Sequence, residues 1–372
     1  MNELIDKAHS EMLASIGAYA KKLGLRAWVV GGAVRDFYLQ RPTQDIDLTF
    51  NGNQESVAGF CVKHWGGEKH KFSQFGTFNA LLKNGIKLDL ARLRGETYVH
   101  AGALPQVHFT QTIKEDLFRR DFTINAWALS ILPDSFGKSF DPYGARKDID
   151  KKFIRILHDK SFLDDPTRMF RAVRFAGRFG YRLAPKTAHL LREAVTGEYP
   201  LLISRERFSR ELVKILQEKK VKEIFNLMQE YDLLKFAYPG LAWHESLSRT
   251  EDVNMRIGLL VLFLGDSGAN FLRSLRLSKN LSQEILGAWH VWQEALSPLR
   301  RMTDFQKQLL CTFNPALPKF ALEHCFVGGQ DLRDLGLCGR HISGVLNQVR
   351  RAQWDGQVTT REEALQMVSR VL

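Results

Sequence analysis

Two carboxylates stand one residue apart at Asp45 and Asp47, in a stretch that predicts a β-strand ending at Phe50. Successive side chains of a strand point to opposite faces, so both carboxylates should share one face while Ile46 occupies the other. Paired carboxylates are suitable ligands for hard divalent cations such as Mg²⁺. Two such cations can activate an attacking oxygen and stabilise a leaving oxygen in phosphoryl transfer.

A glycine pair, Gly31 and Gly32, lies shortly before these carboxylates. It follows an apolar run over 27–30 that predicts a buried strand, and it precedes a predicted helix over 33–39. Glycine allows a tight turn and close approach of a ligand, and the first N–H groups of a helix can face a phosphate. A glycine pair alone is usually a turn, and Asp-x-Asp alone is usually a solvated strand face. In this order and spacing, the two motifs together predict a nucleotidyl-transfer site.

A third carboxylate, Asp89, is a candidate for the same site. It lies in the second strand of a predicted hairpin, whose strands cover 77–82 and 85–90. If this strand lies beside the strand that carries Asp45 and Asp47, then Asp89 can help to organise the metal ions. An exposed strand charge without a function is an equally good interpretation of Asp89.

The segment 115–126 is dense in charged residues. As one helix it would place Asp116, Arg120 and Thr123 on one face. Arg120 could bind a phosphate through two parallel N–H bonds, and Asp121 could accept a hydrogen bond from a ribose hydroxyl. The alternative is a surface helix with salt bridges of little energetic value.

Asp165, Arg168, Arg171 and Arg174 recur at every third position. On an α-helix such a row winds by about 60° per step. It would lie opposite an apolar arc formed by residues 169, 172, 173 and 176. Carboxylate and guanidinium groups offer planar arrays of acceptors and donors that can read the edge of a base. In the alternative interpretation, Asp165 only caps the helix and the arginines form a solvated face.

The composition indicates what such a site would act on. The 372-residue chain carries a net charge of +12 with a sequence pI of about 9.5, which favours a polyanionic partner such as nucleic acid. No apolar run is long enough to span a bilayer, and the N-terminal sequence lacks the features of a signal peptide. The four scattered cysteines form neither a zinc motif nor a disulfide framework, so we expect a cytoplasmic protein.

The elements that must position these residues change in character along the chain. Residues 1–24 predict an amphipathic helix through Leu4, Ala8, Met12, Ile16 and Ala20. Short strands and helices alternate as far as residue 150. Helical periodicity then dominates, for example over 170–179, 206–216, 221–234 and 345–354. An α+β head followed by a basic, all-helical remainder is therefore predicted.

At these motifs the chain resembles the class II tRNA nucleotidyltransferases, the family of CCA-adding enzymes and bacterial poly(A) polymerases. The resemblance covers roughly residues 25–215, and beyond residue 216 the likeness is only a helical, basic character. The order and spacing of the motifs are more specific than any one of them. They are Gly31-Gly32-x-Val34-Arg35-Asp36, Asp45-x-Asp47, Arg119-Arg120-Asp121-Phe122-Thr123-x-Asn125-Ala126, Asp164-Asp165-x-x-Arg168 with Arg171-Ala172-x-Arg174-Phe175, and Ser204-x-Glu206-Arg207.

The resemblance implies a catalytic nucleotidyltransferase head with a mixed β-sheet over 1–145 and a helical neck over 146–215 that carries a template for the base. A helical body over 216–290 and a tRNA-binding tail over 291–372 would follow. Asp45 and Asp47 would bind catalytic Mg²⁺, with Asp89 as a further catalytic candidate. The implied nucleotide-binding residues are Gly31, Gly32, Arg35, Arg120, Asp121, Asp165, Arg168, Arg171 and Arg174.

The implied reaction adds C and A from CTP and ATP to the 3′ end of tRNA without a nucleic-acid template and releases pyrophosphate. The expected partners are the tRNA acceptor stem, ATP and CTP, and neither a membrane nor a protein partner is predicted. One departure from the family is Asp164, where glutamate is usual. The shorter side chain leaves its supporting role open.

Several functions stay open on the sequence alone. A poly(A) polymerase shares the head and neck motifs, and partial enzymes add only C-C or only A. A non-catalytic RNA-binding protein with a degenerate head is disfavoured because Asp45, Asp47 and Arg120 are intact. A transferase for small molecules would need neither the row that begins at Asp165 nor the excess of positive charge.

Overall fold

A computed structural model describes residues 5, 7–72, 77–299, 301–317, 319–339 and 341–370. The chain divides into two compact units, Met1–Ile203 and Ser204–Leu372. Each unit is described by itself. Within the described ranges, no helix is both long and apolar enough to cross a membrane. The predicted boundaries between head, neck, body and tail stay a prediction.

A mixed seven-stranded sheet, in the order β3-β4-β5-β2-β1-β8-β9, is the centre of the first unit. Two smaller sheets pair β6 with β7 and β10 with β11. The strands are β1 Ala27–Val30, β2 Asp45–Phe50, β3 Gly67–Phe72, β4 Thr77–Leu82, β5 Lys87–Arg92, β6 Arg94–Thr97, β7 Gln106–Phe109, β8 Ala128–Ser130, β9 Ser139–Phe140, β10 Phe153–Ile154 and β11 Arg182–Leu183.

The alternating pattern of β2 explains its place in the middle of this sheet. Ile46, Leu48 and Phe50 are at most 1 % exposed, so this side of the strand belongs to the core. β2 pairs antiparallel with β1 and parallel with β5. β4 and β5 pair antiparallel and so form the predicted hairpin, but its second strand begins at Lys87 instead of Gly85, which lies in the turn with a φ of 85°.

Eight α-helices surround the sheets of the first unit in its described residues. Met12, Ile16 and Ala20 of the first helix are buried, as its amphipathic pattern predicts, whereas Leu4 lies outside the described residues. The helices are α1 Lys7–Lys22, α2 Gly32–Tyr38, α3 Glu55–Trp65, α4 Ile113–Phe118, α5 Ala145–Asp150, α6 Ser161–Asp164, α7 Thr167–Phe179 and α8 Pro185–Thr196.

The prediction of one helix across 115–126 is wrong. α4 ends at Phe118, and a short 3-10 helix begins at Thr123. The Thr123 hydroxyl donates to Asp148 at 2.7 Å, so this residue leaves the face that it was predicted to share with Arg120. The buried hydrogen bond from Thr123 to Asp148 thus has more influence on the conformation of this segment than its local helical periodicity.

The second unit is helical throughout its described part, which omits residues 300, 318, 340, 371 and 372. The helix predicted over 221–234 ends earlier, at Glu230, because Asp232 adopts a left-handed φ of 55°. The helices are α9 Arg205–Leu216, α10 Val221–Glu230, α11 Leu234–Ala237, α12 Val253–Phe263, α13 Gly268–Ser274, α14 Lys279–Glu294, α15 Asp304–Phe313, α16 Gly329–Asp334, α17 His341–Trp354 and α18 Arg361–Ser369.

Candidate active site

Three carboxylates come together on two neighbouring strands of the large sheet. Asp45 and Asp47 share the face of β2 opposite to Ile46, as predicted. The parallel register of β2 and β5 sets Asp89 directly beside Asp47. The amide of Asn79 on β4 donates a hydrogen bond to Asp89 and holds it in this row.

The electrostatic environment of these carboxylates opposes their negative charge. Burial raises the pKa of Asp47, and the nearby carboxylates of Asp89 and Asp45 raise it further, against the opposing effect of Arg120. Burial and Asp45 likewise raise the pKa of Asp89, although the Asn79 hydrogen bond lowers it. Carboxylates that repel one another in this way are suited to share a positive ligand.

The donor set suits a hard divalent cation, because Asp45 and Asp47 supply carboxylate oxygens from one strand face. Asp45 is open to solvent, with its side chain 80 % exposed, and its ion pair with Lys87 is long at 3.8 Å. No group of three or more His, Cys, Asp or Glu side chains converges on one metal position among the described residues. The suitability of this site for a divalent cation therefore depends on the pair Asp45 and Asp47.

Gly31 links this carboxylate row to Arg120. It precedes α2 with φ 73° and ψ −132°, a conformation that favours glycine. A Cβ at this position would lie 2.5 Å from Nη1 of Arg120 and 3.3 Å from Oδ2 of Asp47. The absence of a side chain at Gly31 thus lets a guanidinium and a carboxylate approach the same turn.

Replacing Gly31 with alanine is expected to lower nucleotide transfer by about tenfold or more. The new Cβ displaces Arg120, and the left-handed backbone adds strain of about 1–3 kcal/mol. Steady-state transfer kinetics and thermal melting measure the two effects. Gly85→Ala is the matched control, because Gly85 also has a positive φ but a Cβ added there would meet no atom within 4 Å. Equal activity losses in both variants would contradict the role assigned to Gly31.

A buried carboxylate, Asp116, holds Arg120 in this place. Asp116 is fully buried and accepts from Nη2 of Arg120 at 3.3 Å and from Nε and Nη2 of Arg119 at 3.1 and 3.0 Å. The Arg94 backbone N–H donates to it as well. Burial alone would raise the pKa of Asp116, but the two guanidiniums outweigh it and lower the pKa. Glu96 also accepts from Arg119, which extends the network to the β6–β7 hairpin.

Asp121 faces Arg171 of α7 instead of solvent. Its Oδ2 accepts a forked pair of hydrogen bonds from Arg171, and its Oδ1 accepts from the Asn125 amide at 2.9 Å. Burial would raise the pKa of Asp121, but Arg171 and Asn125 lower it to about 2. In this arrangement the carboxylate positions Arg171, and its proposed contact with a ribose would be made beside that ion pair.

Arg35 is likewise engaged inside the protein. Its side chain is buried, donates to Asn125 and forms two 3.0 Å hydrogen bonds with the Asp36 carboxylate. Its guanidinium lies 4.7 Å from the centre of the Phe179 ring. These contacts favour a positioning role for Arg35, whereas the predicted contact with a triphosphate stays a prediction.

Arg168 lies in the first turn of α7, and Asp165 lies two residues before this helix in extended backbone. Oδ1 of Asp165 accepts from the backbone N–H and the hydroxyl of Thr167, the first residue of the helix, at 3.0 and 2.6 Å. Arg168 is 4 % exposed and donates to the Ser161 hydroxyl and to the Arg119 carbonyl, both at 2.8 Å. α7 is thus fastened to the segment that carries Arg119 and Arg120.

The interpretation of the arginine row as a solvated face is wrong. Arg168 and Arg174 are 4 % and 6 % exposed, and the Arg174 guanidinium lies 4.6 Å from the centre of the Phe175 ring. The predicted apolar arc is buried as well, so α7 is enclosed on most of its surface. Buried guanidiniums at three-residue spacing are typical of a binding or positioning role.

Sequence reasoning did not foresee the buried contacts of Asp116, Glu96 and Asn125. The neighbouring arginines Arg119 and Arg120 offered a signal for the first of them, because buried cations need a counter-charge and Asp116 stands three and four residues before them. No local signal marked Glu96, whose partner Arg119 is distant in sequence. Asn125 belongs to a family motif, but nothing in that motif indicated its hydrogen bond with the distant Arg35.

Two family profiles match this chain. One describes the poly A polymerase head domain and matches residues 27–155, which contain the carboxylate row and Arg120. The other describes a probable RNA and SrmB-binding site of polymerase A and matches residues 180–244. The first match covers the large sheet and the second includes α9 and α10.

Curated relatives agree with these profiles. An A-adding tRNA nucleotidyltransferase of Aquifex aeolicus is 40 % identical over 224 residues, which are 60 % of this chain but 27 % of that protein. An A-adding tRNA nucleotidyltransferase of Halalkalibacterium halodurans is 33 % identical over 313 residues, 84 % of this chain and 67 % of that protein. The chain thus spans about a quarter of one relative and two thirds of the other.

The fold has solved counterparts. The Thermotoga maritima CCA-adding enzyme, whose structure was determined in complex with tRNA, is 27 % identical, and the superposition covers 99 % of this chain and 97 % of that one with a TM-score of 0.67. The chain therefore belongs to the class II tRNA nucleotidyltransferase and poly(A) polymerase family.

Proposed function

We propose that the chain adds nucleotides from CTP and ATP to the 3′ end of tRNA without a nucleic-acid template. The observation that carries this proposal is the approach of Asp47 and Arg120 to the turn at Gly31, with Asp89 beside Asp47 on the neighbouring strand. A row of carboxylates beside a guanidinium suits a triphosphate accompanied by a divalent cation. The names of the relatives and the net charge of +12 support tRNA as the acceptor.

In the proposed reaction the 3′-hydroxyl oxygen of the RNA attacks the α-phosphate of the nucleotide. A P–O bond to the RNA forms, the bond to pyrophosphate breaks, and the hydroxyl proton is released. Mg²⁺ held by Asp45 and Asp47 would lower the pKa of that hydroxyl and neutralise charge on the phosphates. Arg120, fixed by Asp116, would stabilise negative charge on the phosphates, so positioning and electrostatics account for most of the acceleration.

The base of the nucleotide would be selected by Asp165, just before α7, and by arginines in the first half of that helix. Asp165 and Arg168 stand there with fixed positions, and Arg171 is held by Asp121. A carboxylate and a guanidinium can pair with the Watson–Crick edges of cytosine and adenine. Rigid donors and acceptors discriminate well, because a wrong base leaves buried polar groups unpaired.

A transfer assay tests the proposed function. Purified full-length chain with Mg²⁺ is given tRNA transcripts that end before CCA, after C-C and after C-C-A, with labelled CTP and ATP offered separately and together. Growth by C-C-A followed by arrest is the expected result. Long A tails on unrelated RNAs would instead identify a poly(A) polymerase. Binding of tRNA without any incorporation would overturn the catalytic proposal.

An A-adding enzyme is the second candidate, because both curated relatives described above carry that name. Such an enzyme extends only the transcript that ends in C-C, and it incorporates only A. Extension of the transcript that lacks all three nucleotides distinguishes the full activity from this partial one.

Asp165→Ala is expected to lower the preference for CTP and ATP over GTP and UTP by at least about tenfold. A lost hydrogen bond to a charged group is worth about 1.5–3 kcal/mol, and about 1.4 kcal/mol corresponds to a factor of ten. Competition assays with all four nucleotides measure this preference as ratios of kcat/KM.

The matched control for that variant is Asp252→Ala. Asp252 caps α12 by accepting from the Met255 N–H at 2.7 Å, so its loss likewise removes a hydrogen bond between an aspartate and a backbone N–H at the start of a helix. Both variants should lose about 1 kcal/mol of stability, and only Asp165→Ala should alter selectivity. Unchanged selectivity in Asp165→Ala would remove Asp165 from the template.

A further inference from the structure

The side-chain amide of Asn125 joins two charged groups from different parts of the first unit. Its carbonyl oxygen accepts a hydrogen bond from Nη1 of Arg35, a residue of α2. Its NH₂ group donates to Oδ1 of Asp121 at 2.9 Å. Asn125 is only 8 % exposed, so both hydrogen bonds are formed away from bulk solvent. A guanidinium only donates and an ionised carboxylate only accepts, so a buried side chain between them needs both an acceptor and a donor, as an amide has.

The backbone around Asn125 fixes this amide in place. Asn125 is the last residue of the short 3-10 helix that begins at Thr123. The Thr123 backbone N–H donates to the Arg155 carbonyl at 2.8 Å, and the Thr123 hydroxyl donates to Asp148. The Asn125 backbone N–H donates to the Phe122 carbonyl at 3.0 Å. The short 3-10 helix therefore holds the amide between the two charged groups.

Asp121 extends this hydrogen-bond network to α7. Its Oδ1 accepts from the amide and from the Phe122 backbone N–H at 2.8 Å, and its Oδ2 accepts both hydrogen bonds from Arg171. The Phe175 ring contacts both arginines of the network, because its centre lies 5.7 Å from the Arg35 guanidinium and 5.5 Å from that of Arg171. A displacement of the amide would therefore be transmitted through the carboxylate to the arginine on α7.

We infer that Asn125 is a positioning residue for base selection, because it holds Asp121 and, through this carboxylate, Arg171. The inference rests on the proposed function, in which arginines of α7 select the base. In this role the amide itself touches no substrate. A small displacement of a recognition group weakens its pairing with the correct base, and selectivity then falls. The hydrogen bond with Arg35 also ties the network to α2, the helix that follows the glycine turn.

The decisive variant is Asn125→Leu, tested in the full-length chain. Leucine is close to asparagine in shape but can neither accept from Arg35 nor donate to Asp121. Both charged groups keep their ion-pair partners, Asp36 and Arg171, so we expect the variant to fold. Equilibrium binding of labelled CTP, ATP, GTP and UTP, with Mg²⁺ but without RNA, measures the preference for CTP and ATP. This preference is expected to fall about fivefold, and the ratios of kcat/KM in transfer should fall with it.

A double-mutant cycle with Arg171→Lys tests whether Asn125 acts through Arg171. Lysine keeps a positive charge beside Asp121 but lacks the planar fork of a guanidinium. Adding Asn125→Leu to Arg171→Lys should change the preference by less than about twofold, because the group that Asn125 positions is already lost.

Two further variants separate the two hydrogen bonds of the amide from a general loss of stability. Asn125→Asp can still accept from Arg35 but cannot donate to Asp121, so it should lose the preference as Asn125→Leu does. Thr187→Val is the matched control. The Thr187 hydroxyl is fully buried in the same unit and accepts from the Ile156 backbone N–H at 3.2 Å, and valine removes this hydrogen bond while keeping the shape of the side chain. The preference of this control should stay within about twofold of the wild type.

Four outcomes would overturn the role of Asn125. These are an unchanged preference in Asn125→Leu, an equal loss in Thr187→Val, additive effects in the cycle with Arg171→Lys, and a retained preference in Asn125→Asp. Because binding is measured without RNA, a wild-type chain that binds CTP and ATP selectively but transfers neither would overturn the proposed function alone. Normal transfer by the wild type together with any of the four outcomes would overturn the role of Asn125 alone. Wild-type binding without preference among the four nucleotides would overturn both.

Discussion

Replacing Asp47 with asparagine abolishes nucleotide transfer, by about a thousandfold or more, while tRNA binding stays nearly intact. The amide keeps the shape of the side chain but removes the negative charge needed to bind a divalent cation. Single-turnover transfer and equilibrium tRNA binding measure the two properties separately.

The stability of the Asp47→Asn variant separates a site defect from misfolding. Because the pKa of Asp47 is raised, the folded state favours its protonated form, and stability is lost as pH rises from the ordinary range of aspartate through the raised value. The neutral amide removes this loss, so the variant should be at least as stable as the wild type at pH 7. Asp159→Asn, an exposed residue paired with Lys186, is the control and should retain activity. Loss of stability and tRNA binding together with activity would contradict the assignment.

Replacing Asp116 with asparagine is expected to destabilise the first unit by about 3 kcal/mol and to lower transfer at least tenfold. The change leaves the Arg120 guanidinium without its buried counter-charge and Arg119 with Glu96 alone, and loss of one partner in a buried pair costs about 3–5 kcal/mol. Arg120 then loses its fixed position beside Gly31. Denaturant unfolding and steady-state kinetics of the full-length chain measure both effects.

The pH dependence of stability gives this variant a distinct signature. The lowered pKa of Asp116 means that its contribution is complete above the ordinary value of 3.8 and is lost as pH falls through the lowered value. Asp116→Asn should therefore show a smaller loss of stability in acid than the wild type. Asp134→Asn is the exposed control, with a side chain 71 % accessible and paired with Lys21. An Asp116→Asn variant as stable as this control would show that the buried network contributes little.

Strand alternation, helical spacing and the glycine pair correctly predicted those parts of the site that neighbouring residues alone determine. Alternation placed Asp45 and Asp47 on one face of a strand, and helical spacing placed Asp165 at the start of α7. The glycine pair marked the turn before α2. Each of these properties depends on residues within a few positions of one another. The two-residue repeat of a strand, the 3.6-residue repeat of a helix and the turn preference of glycine describe such short-range relations well.

Contacts between residues that are distant in sequence determine the parts of the site that the sequence did not predict. The position of Asp89 beside Asp47 requires the parallel register of β2 and β5, which no local pattern specifies. Asp121 could be assigned to a ribose from its type, but its partner Arg171 lies fifty residues away. The burial of Arg168 depends in the same way on Ser161 and on a backbone carbonyl of another segment.

The hydrogen bonds from α7 to residues 119–121 limit how base choice can be redesigned. Arg168 donates to the Arg119 carbonyl, and Arg171 holds the Asp121 carboxylate. An α7 sequence transplanted from a relative with another nucleotide preference would lose the residues of its own 119–121 segment to which its arginines bind. Successful chimeras should therefore carry residues 119–125 and α7 as one cassette, and evolutionary change in either segment should be accompanied by change in the other.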